Sequence, residues 1–293
     1  MEKKFISLTM GKNLKSYLKI FRITEWRAYF LMAFLGFLVA KGFLFPLMDI
    51  FIFFVLIISF LAFGFAVNNC FDTKEDKNRN DKINPLAEKE IKFKNTFILS
   101  ILPGFLGLTL SLIFGWKVFL FCLAGLTVSF FYSAPPLRFK GRPVLDLISH
   151  GFFAGVFWFA LPLLVFKSEW NLFHYFLSLS IFYLSLTLEL RNHLEDFDSD
   201  KEADLKTFVC VFGKNFSERL LQLLALLFPL TIFPVFLLDF PKHLFLFFVS
   251  ILIFLFFFQF LQKSKTKEDY KSYRALDFYS IFLFSFLVVL NVF

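Results

Sequence analysis

Cysteine is nearly absent from this chain: three in 293 residues, Cys70, Cys122 and Cys210, each standing alone. Without a CxxC pair, a structural zinc site, an iron–sulfur cluster and a disulfide framework are all excluded. Charge is scarce as well, at 18% of residues, where a soluble domain carries roughly a quarter. That excludes an ordinary soluble enzyme and a disordered chain. Apolar residues fill the space left, 58% of the total, with 22% aromatic and 52 phenylalanines. They cluster in runs close to the roughly 20 residues that an α-helix needs to cross a bilayer. A barrel would show alternating strands about half as long, so the class expected is all-α, a polytopic membrane protein.

Nine apolar segments predict nine transmembrane helices: Ile23–Ala40, Phe43–Val67, Asn95–Gly115, Val118–Ser133, Val144–Phe166, Leu172–Leu190, Leu220–Leu238, Leu244–Leu261 and Ala275–Phe293. The first begins only after about 22 residues, is too long for a signal-peptide core and lacks a small-residue cleavage site, so it reads as a helix. Of the 31 Lys and Arg residues, only Lys41, Lys117, Lys167 and Lys242 fall on one side of this topology, and the other 27 fall on the opposite side. Basic residues mark cytoplasmic loops. The N-terminal segment 1–22 and the long loops are therefore expected in the cytoplasm and the C-terminus on the far side. The net charge of +8 is then topology, implying no nucleic-acid partner, and no protein partner is implied either.

Two of those loops, 68–94 and 191–217, carry acidic residues in a repeated pattern. Asn68, Asp72 and Asp76 follow the second segment, and Asn192, Asp196 and Asp200 follow the sixth, both reading N-x-x-x-D-x-x-x-D and lying 124 residues apart. Four segments separate them, which returns both copies to one membrane face and suggests a parallel duplication of a four-helix unit plus one helix. Spacing by four stacks side chains on one helix face, about 6 Å apart along the axis. Two such ladders of hard oxygen ligands suit Mg2+, which binds through one or two carboxylates and completes its octahedron with substrate phosphates. A diphosphate is the natural substrate partner. Asp204 extends the second ladder as a further metal candidate, while Glu75, Glu195, Asp198 and Glu202 break the phase and read as surface charge.

Together with Tyr132-Ser133-Ala134-Pro135-Pro136-Leu137-Arg138-Phe139-Lys140-Gly141-Arg142-Pro143 after the fourth segment, these motifs resemble the UbiA superfamily of intramembrane prenyltransferases. The likeness covers nearly the whole chain, and the Tyr132–Pro143 stretch is similar to carotenoid-prenylating, lycopene elongase-like members. Asn69 stands where the family commonly has Asp, His193 where it often has an acid, and Lys82–Ile91 replaces the RPxxSG-like segment of quinone and haem branches. The resemblance implies a single domain over 1–293 forming a helical ring. It also implies transfer of a polyprenyl group from its diphosphate to a lipophilic acceptor, with Mg2+ held by Asp72, Asp76, Asp196 and Asp200.

On that reading, cations beside the diphosphate should be Arg138, Lys140 and Arg142, with Lys77, Arg191 and Lys201 behind them. Tyr132 is the aromatic expected to face the prenyl cation. Asn68, Asn192 and His193 join the substrate contacts, as does Asp146, a carboxylate at the membrane edge. Trp26 reads as an interfacial anchor, and His150 and His174 as packing or interfacial residues. Most phenylalanines must face lipid or pack between helices. A rival class is a cation transporter or channel using the Asp motifs as ion sites, but repeat-built transporters hold substrate near midmembrane. A purely structural or lipid-scrambling protein would leave both ladders idle.

Overall fold

The computed structural model describes residues 15–42, 45–77, 84–166, 168–238, 245, 247–253, 255 and 274–292. No strand occurs among them. The long helices are α1 (Arg27–Lys41), α2 (Leu47–Phe71), α3 (Phe93–Ser111), α4 (Trp116–Ser133), α5 (Leu145–Val165), α6 (Leu172–Glu195), α7 (Lys214–Leu237) and α8 (Arg274–Val292). Among the described residues, six are long and apolar enough to cross a membrane, and a seventh span results if the bent pair Lys15–Glu25 and Arg27–Lys41 counts as one. The expected run Leu244–Leu261 lies largely outside the described residues, though 247–253 is helical. Nine spans are thus met only in part.

Where helices begin differently from the apolar pattern, local chemistry explains it. The first run does not continue from Ile23. A 57° bend separates Lys15–Glu25 from α1, with Arg22 in the left-handed region at φ 47° and the Trp26 indole donating to the Phe21 carbonyl at 2.7 Å. Trp26 therefore anchors a corner. At the other ends, α2 and α6 outrun the apolar segments, because main-chain bonding continues into the polar motifs. Helix α6 starts on a capping box between Asn171 and His174, which satisfies end groups that lipid cannot and accounts for His174.

Close helix contacts rest on small residues, as packing within a bilayer requires. A Cβ at Gly36 of α1 would stand 2.2 Å from the Phe159 carbonyl oxygen of α5, and one at Gly125 of α4 would meet the Phe157 ring at 2.2 Å. The second half of α5 is consequently the hub. Phe159 and Leu163 join a core with Phe228, Phe284 and Tyr279 from α7 and α8, while Phe157, Trp158 and Leu161 join another with Phe37, Phe53 and Phe60 from α1 and α2. Within α5, Gly151–Val156 forms a π-helical turn. Helix α8 packs back on α1, so the last long helix meets the first. Outward faces carry Leu47, Phe105 and Ile113, 84%, 68% and 76% exposed, as hydrocarbon contact allows.

Candidate active site

Both acidic motifs sit where a long helix gives way to a short one. Asp72 leaves α2 at φ −96°, ψ 17°, and Asp196 leaves α6 at φ −92°, ψ 2°, so neither ladder lies on one unbroken helix as the spacing suggested. Phase survives the break. Asp72 N donates to the Asn68 carbonyl at 3.0 Å and Asp76 N to that of Asp72 at 2.9 Å; the Asp196–Asn192 and Asp200–Asp196 bonds measure 2.8 and 2.9 Å. The sequence repeat is thereby a backbone repeat.

The two motifs face one cavity of about 380 Å³, lined by Asn68, Asp72, Asp76, Asn192, Asp196 and Asp200 together with Tyr132, Lys140 and His193. Its apolar wall comes from Phe60, Leu61, Phe65, Phe153 and Trp158. Tyr132 is buried and packs its ring 4.9 Å from that of Phe153. Polar motifs and aromatic wall therefore share one chamber, which can seat a charged head group and an apolar chain at once.

Lys140, buried at 5% exposure, pairs with Asp72 and lies 3.5 Å from Glu75. Arg138 also pairs with Glu75. Glu75 is thus no surface charge: it is buried and lines the cavity, where Arg138 and Lys140 from the loop after α4 meet it. The loop that delivers both cations is strained, with Arg138 at φ 39° and Val144 at φ 73°, a backbone state that a β-branched residue rarely adopts.

Other expected residues lie elsewhere. Arg142 and Lys77 are exposed, Arg191 donates to the Asn192 amide oxygen at 3.4 Å, and none of the three lines the cavity. Asp204 is exposed, in the left-handed region at φ 57°, and does not line it either; the turn after Glu202 swings it away. Asp146 is fully buried but works as a brace, accepting from Leu147 N and Phe208 N at 2.8 Å each. It touches the chamber only through His193, whose Nδ1 is 3.5 Å from its carboxylate.

Arg22, Glu25 and Glu189 join the site beyond the residues the spacing singled out, and Glu195, expected as surface charge, lines the cavity as well. Arg22 and Glu25 line the cavity, Arg22 donating to Asn68 Oδ1 at 3.2 Å. Glu189 lies deeper, 6% exposed. It accepts from the Tyr132 hydroxyl and from Asn192 Nδ2 at 2.9 Å, with His150 Nε2 and His193 Nε2 each 3.2 Å away. His150 is accordingly part of the chamber wall and not merely a packing residue. The signal was available, since Glu189 is an ionisable residue inside an apolar run.

The UbiA prenyltransferase family model matches residues 29–286. The chain belongs to that family. Its helices make this UbiA-family prenyltransferase an integral, multi-pass membrane protein. A protein of Pyrococcus horikoshii named digeranylgeranylglyceryl phosphate synthase is 27% identical over 206 residues, 69% of this chain and 70% of that one. A synthase of the same name from Saccharolobus solfataricus is 28% identical over 216 residues, 73% and 75% of the two chains. In structure, a UbiA homolog from Archaeoglobus fulgidus bound to DMAPP and Mg2+ superposes with a TM-score of 0.76 at 22% identity, covering 94% of this chain and 96% of its own. That likeness shows the shared fold.

In this family member the ligands available for a divalent ion are hard oxygens. Among the described residues no three Asp, Glu, His or Cys side chains converge into a preformed metal cage. Charge is nevertheless crowded. Burial, followed by the neighbouring Asp196 carboxylate, raises the Asp200 pKa from 3.8 to about 7, and Glu75 Oε2 is buried without a hydrogen-bond partner. Such a donor set fits an ion that takes one or two carboxylates and draws its other ligands from bound phosphate.

Proposed function

We propose that this UbiA-family enzyme transfers a prenyl group from an allylic diphosphate to a lipophilic acceptor in the chamber between α2, α4, α5 and α6, with Asp72, Asp76, Asp196 and Asp200 as the Mg2+ ligands. The observation that carries the reading is the shared cavity: both acidic motifs open onto a space whose remaining wall is aromatic and aliphatic. Mg2+, when bound, supplies Lewis-acid neutralisation of the departing diphosphate. The chain's own groups do the rest. Asn68 and Asn192 offer amide contacts beside the carboxylates, and Lys140, buried beside Asp72, is the cation that would meet phosphate oxygen. Arg138 adds a second cation at the same edge. Tyr132, Phe65 and Trp158 exclude water and turn ring faces to the developing allylic cation. The named relatives from Pyrococcus and Saccharolobus support a glycerol-based lipid as acceptor. Cytoplasmic placement of the motifs follows from the basic-residue asymmetry.

The test is diphosphate release from radiolabelled geranyl diphosphate by purified protein in detergent. Release should need Mg2+ and be accompanied by prenylation of an added monoalkyl glycerol. Equal release with and without a chelator would overturn the metal assignment, and no prenylated product with any lipid alcohol or phenol would overturn the reading as a whole.

A further inference from the structure

We propose that Glu189, through Tyr132, accepts the proton of an acceptor hydroxyl. The inference rests on the prenyl-transfer reading above and names its acceptor class, an alcohol. Glu189 is a buried carboxylate one helical turn before the second acidic motif and is not one of its aspartates, and all four of its lone-pair positions are taken. Oε1 faces the Tyr132 hydroxyl and His193 Nε2; Oε2 faces Asn192 Nδ2 and His150 Nε2. Each imidazole is itself backed, His193 by Asp146 at 3.5 Å and His150 by the Ser185 hydroxyl at 3.1 Å. Burying a carboxylate is expensive, and packing alone calls for none here.

What this arrangement does to Tyr132 is decisive. A phenol has one proton and two lone pairs. The proton is committed to Glu189, so toward the cavity Tyr132 can only accept a hydrogen bond. An acceptor alcohol meets that requirement, whereas an aromatic carbon acceptor loses a C–H proton that makes no useful hydrogen bond. As the alcohol oxygen bonds to the prenyl C1, the bond from C1 to the diphosphate oxygen breaks and its electron pair leaves with the diphosphate. The hydroxyl proton moves to Tyr132 and the phenolic proton to Glu189, which returns it to water between turnovers. An alkylated oxonium is a far stronger acid than any carboxylic acid, so even a carboxylate stabilised by four donors suffices. Asn192, His150 and His193 are positioning residues that hold that carboxylate against the phenol.

The test compares wild type, Glu189→Gln, Glu189→Asp, Tyr132→Phe and the Gln/Phe double variant, using radiolabelled geranyl diphosphate, Mg2+ and two acceptors. These are a long-chain monoalkyl glycerol and a fluorinated analogue with a more acidic hydroxyl. Glu189→Gln should lower kcat with the monoalkyl glycerol by about 100-fold or more while KM for geranyl diphosphate stays within about twofold. Its deficit should shrink about tenfold with the fluorinated acceptor, as proton transfer to a weaker base becomes easier. Tyr132→Phe should behave alike, the double variant should be no slower than the slower single one, and Glu189→Asp should recover part of the rate. Wild-type kcat in Glu189→Gln or Tyr132→Phe overturns the relay, as does an equal deficit with both acceptors, which marks a merely structural role. Transfer by wild type to phenols but to neither alcohol overturns the alcohol class and the relay while leaving prenyl transfer standing.

Discussion

The two acidic motifs share spacing and backbone yet differ in how their charge is balanced. In the first, Lys140 sits on Asp72, Arg138 on Glu75, and the buried Asn84 amide donates to Asp76 at 2.8 Å. In the second, Asp196 crowds Asp200 and helps raise its pKa to about 7. The residue three before the motif asparagine is Phe65 in one half and Glu189 in the other, and the residue after it is Asn69 in one and His193 in the other. Asn69 is spent on architecture, donating to the Ile20 carbonyl at 2.8 Å; His193 faces Glu189. The aspartates keep one spacing in both halves, while the residues around them give the first a cation support and the second a buried carboxylate held by two histidines.

Replacing the leading aspartate of each half is the harshest trial of that contrast. Asp72→Ala and Asp196→Ala should each cut Mg2+-dependent diphosphate release by about 100- to 1,000-fold; a variant in either half that kept full release would show that only the other holds metal. Next comes the cation of the first half. Lys140→Met removes the cation beside buried Asp72 and leaves Glu75 with Arg138 alone, and should lower metal-free stability by about 3–5 kcal/mol, with thermal unfolding in detergent recovering on Mg2+ addition. The second half should respond in the opposite direction. Because the folded pKa of Asp200 lies above its unfolded value, its ionised form opposes folding, and the loss of stability grows as pH rises from 3.8 to about 7. Asp200→Asn should therefore raise the metal-free melting temperature at neutral pH while weakening the stabilisation that Mg2+ provides. Smallest of all, Arg142→Ala and Asp204→Ala, both exposed, should change stability by no more than about 0.5 kcal/mol and leave release near wild type.

Apolar runs located the spans within a few residues because lipid leaves a backbone no alternative to internal pairing. The four-residue spacing carried the aspartates to one cavity even across a helix break, since main-chain bonds kept the phase. Glu75 was misjudged because spacing by four picks out one stripe of side chains and cannot show that Arg138 and Lys140, more than 60 residues on, come to meet a carboxylate outside it. Arg22 and Glu25 could not be placed from the pattern, because the bend at Trp26 brings them to the chamber. Glu189 stands out in the sequence as an ionisable residue in an apolar run, but its partners from α4 and α5, Tyr132 and His150, are far away in sequence and only the fold supplies them.

The wide turn at Gly151–Val156 sets the rotational phase between the two ends of α5. His150 meets the chamber before it and Phe153 within it, while Phe157, Phe159 and Leu163 lock into the hub beyond it. Removing a single residue there would twist the first end against the second by about 100° while α2 and α6 stayed where they are. A one-codon change of length would thus re-aim His150 together with the loop of Arg138 and Lys140 that leads into the first end, changing recognition and phosphate grip at once.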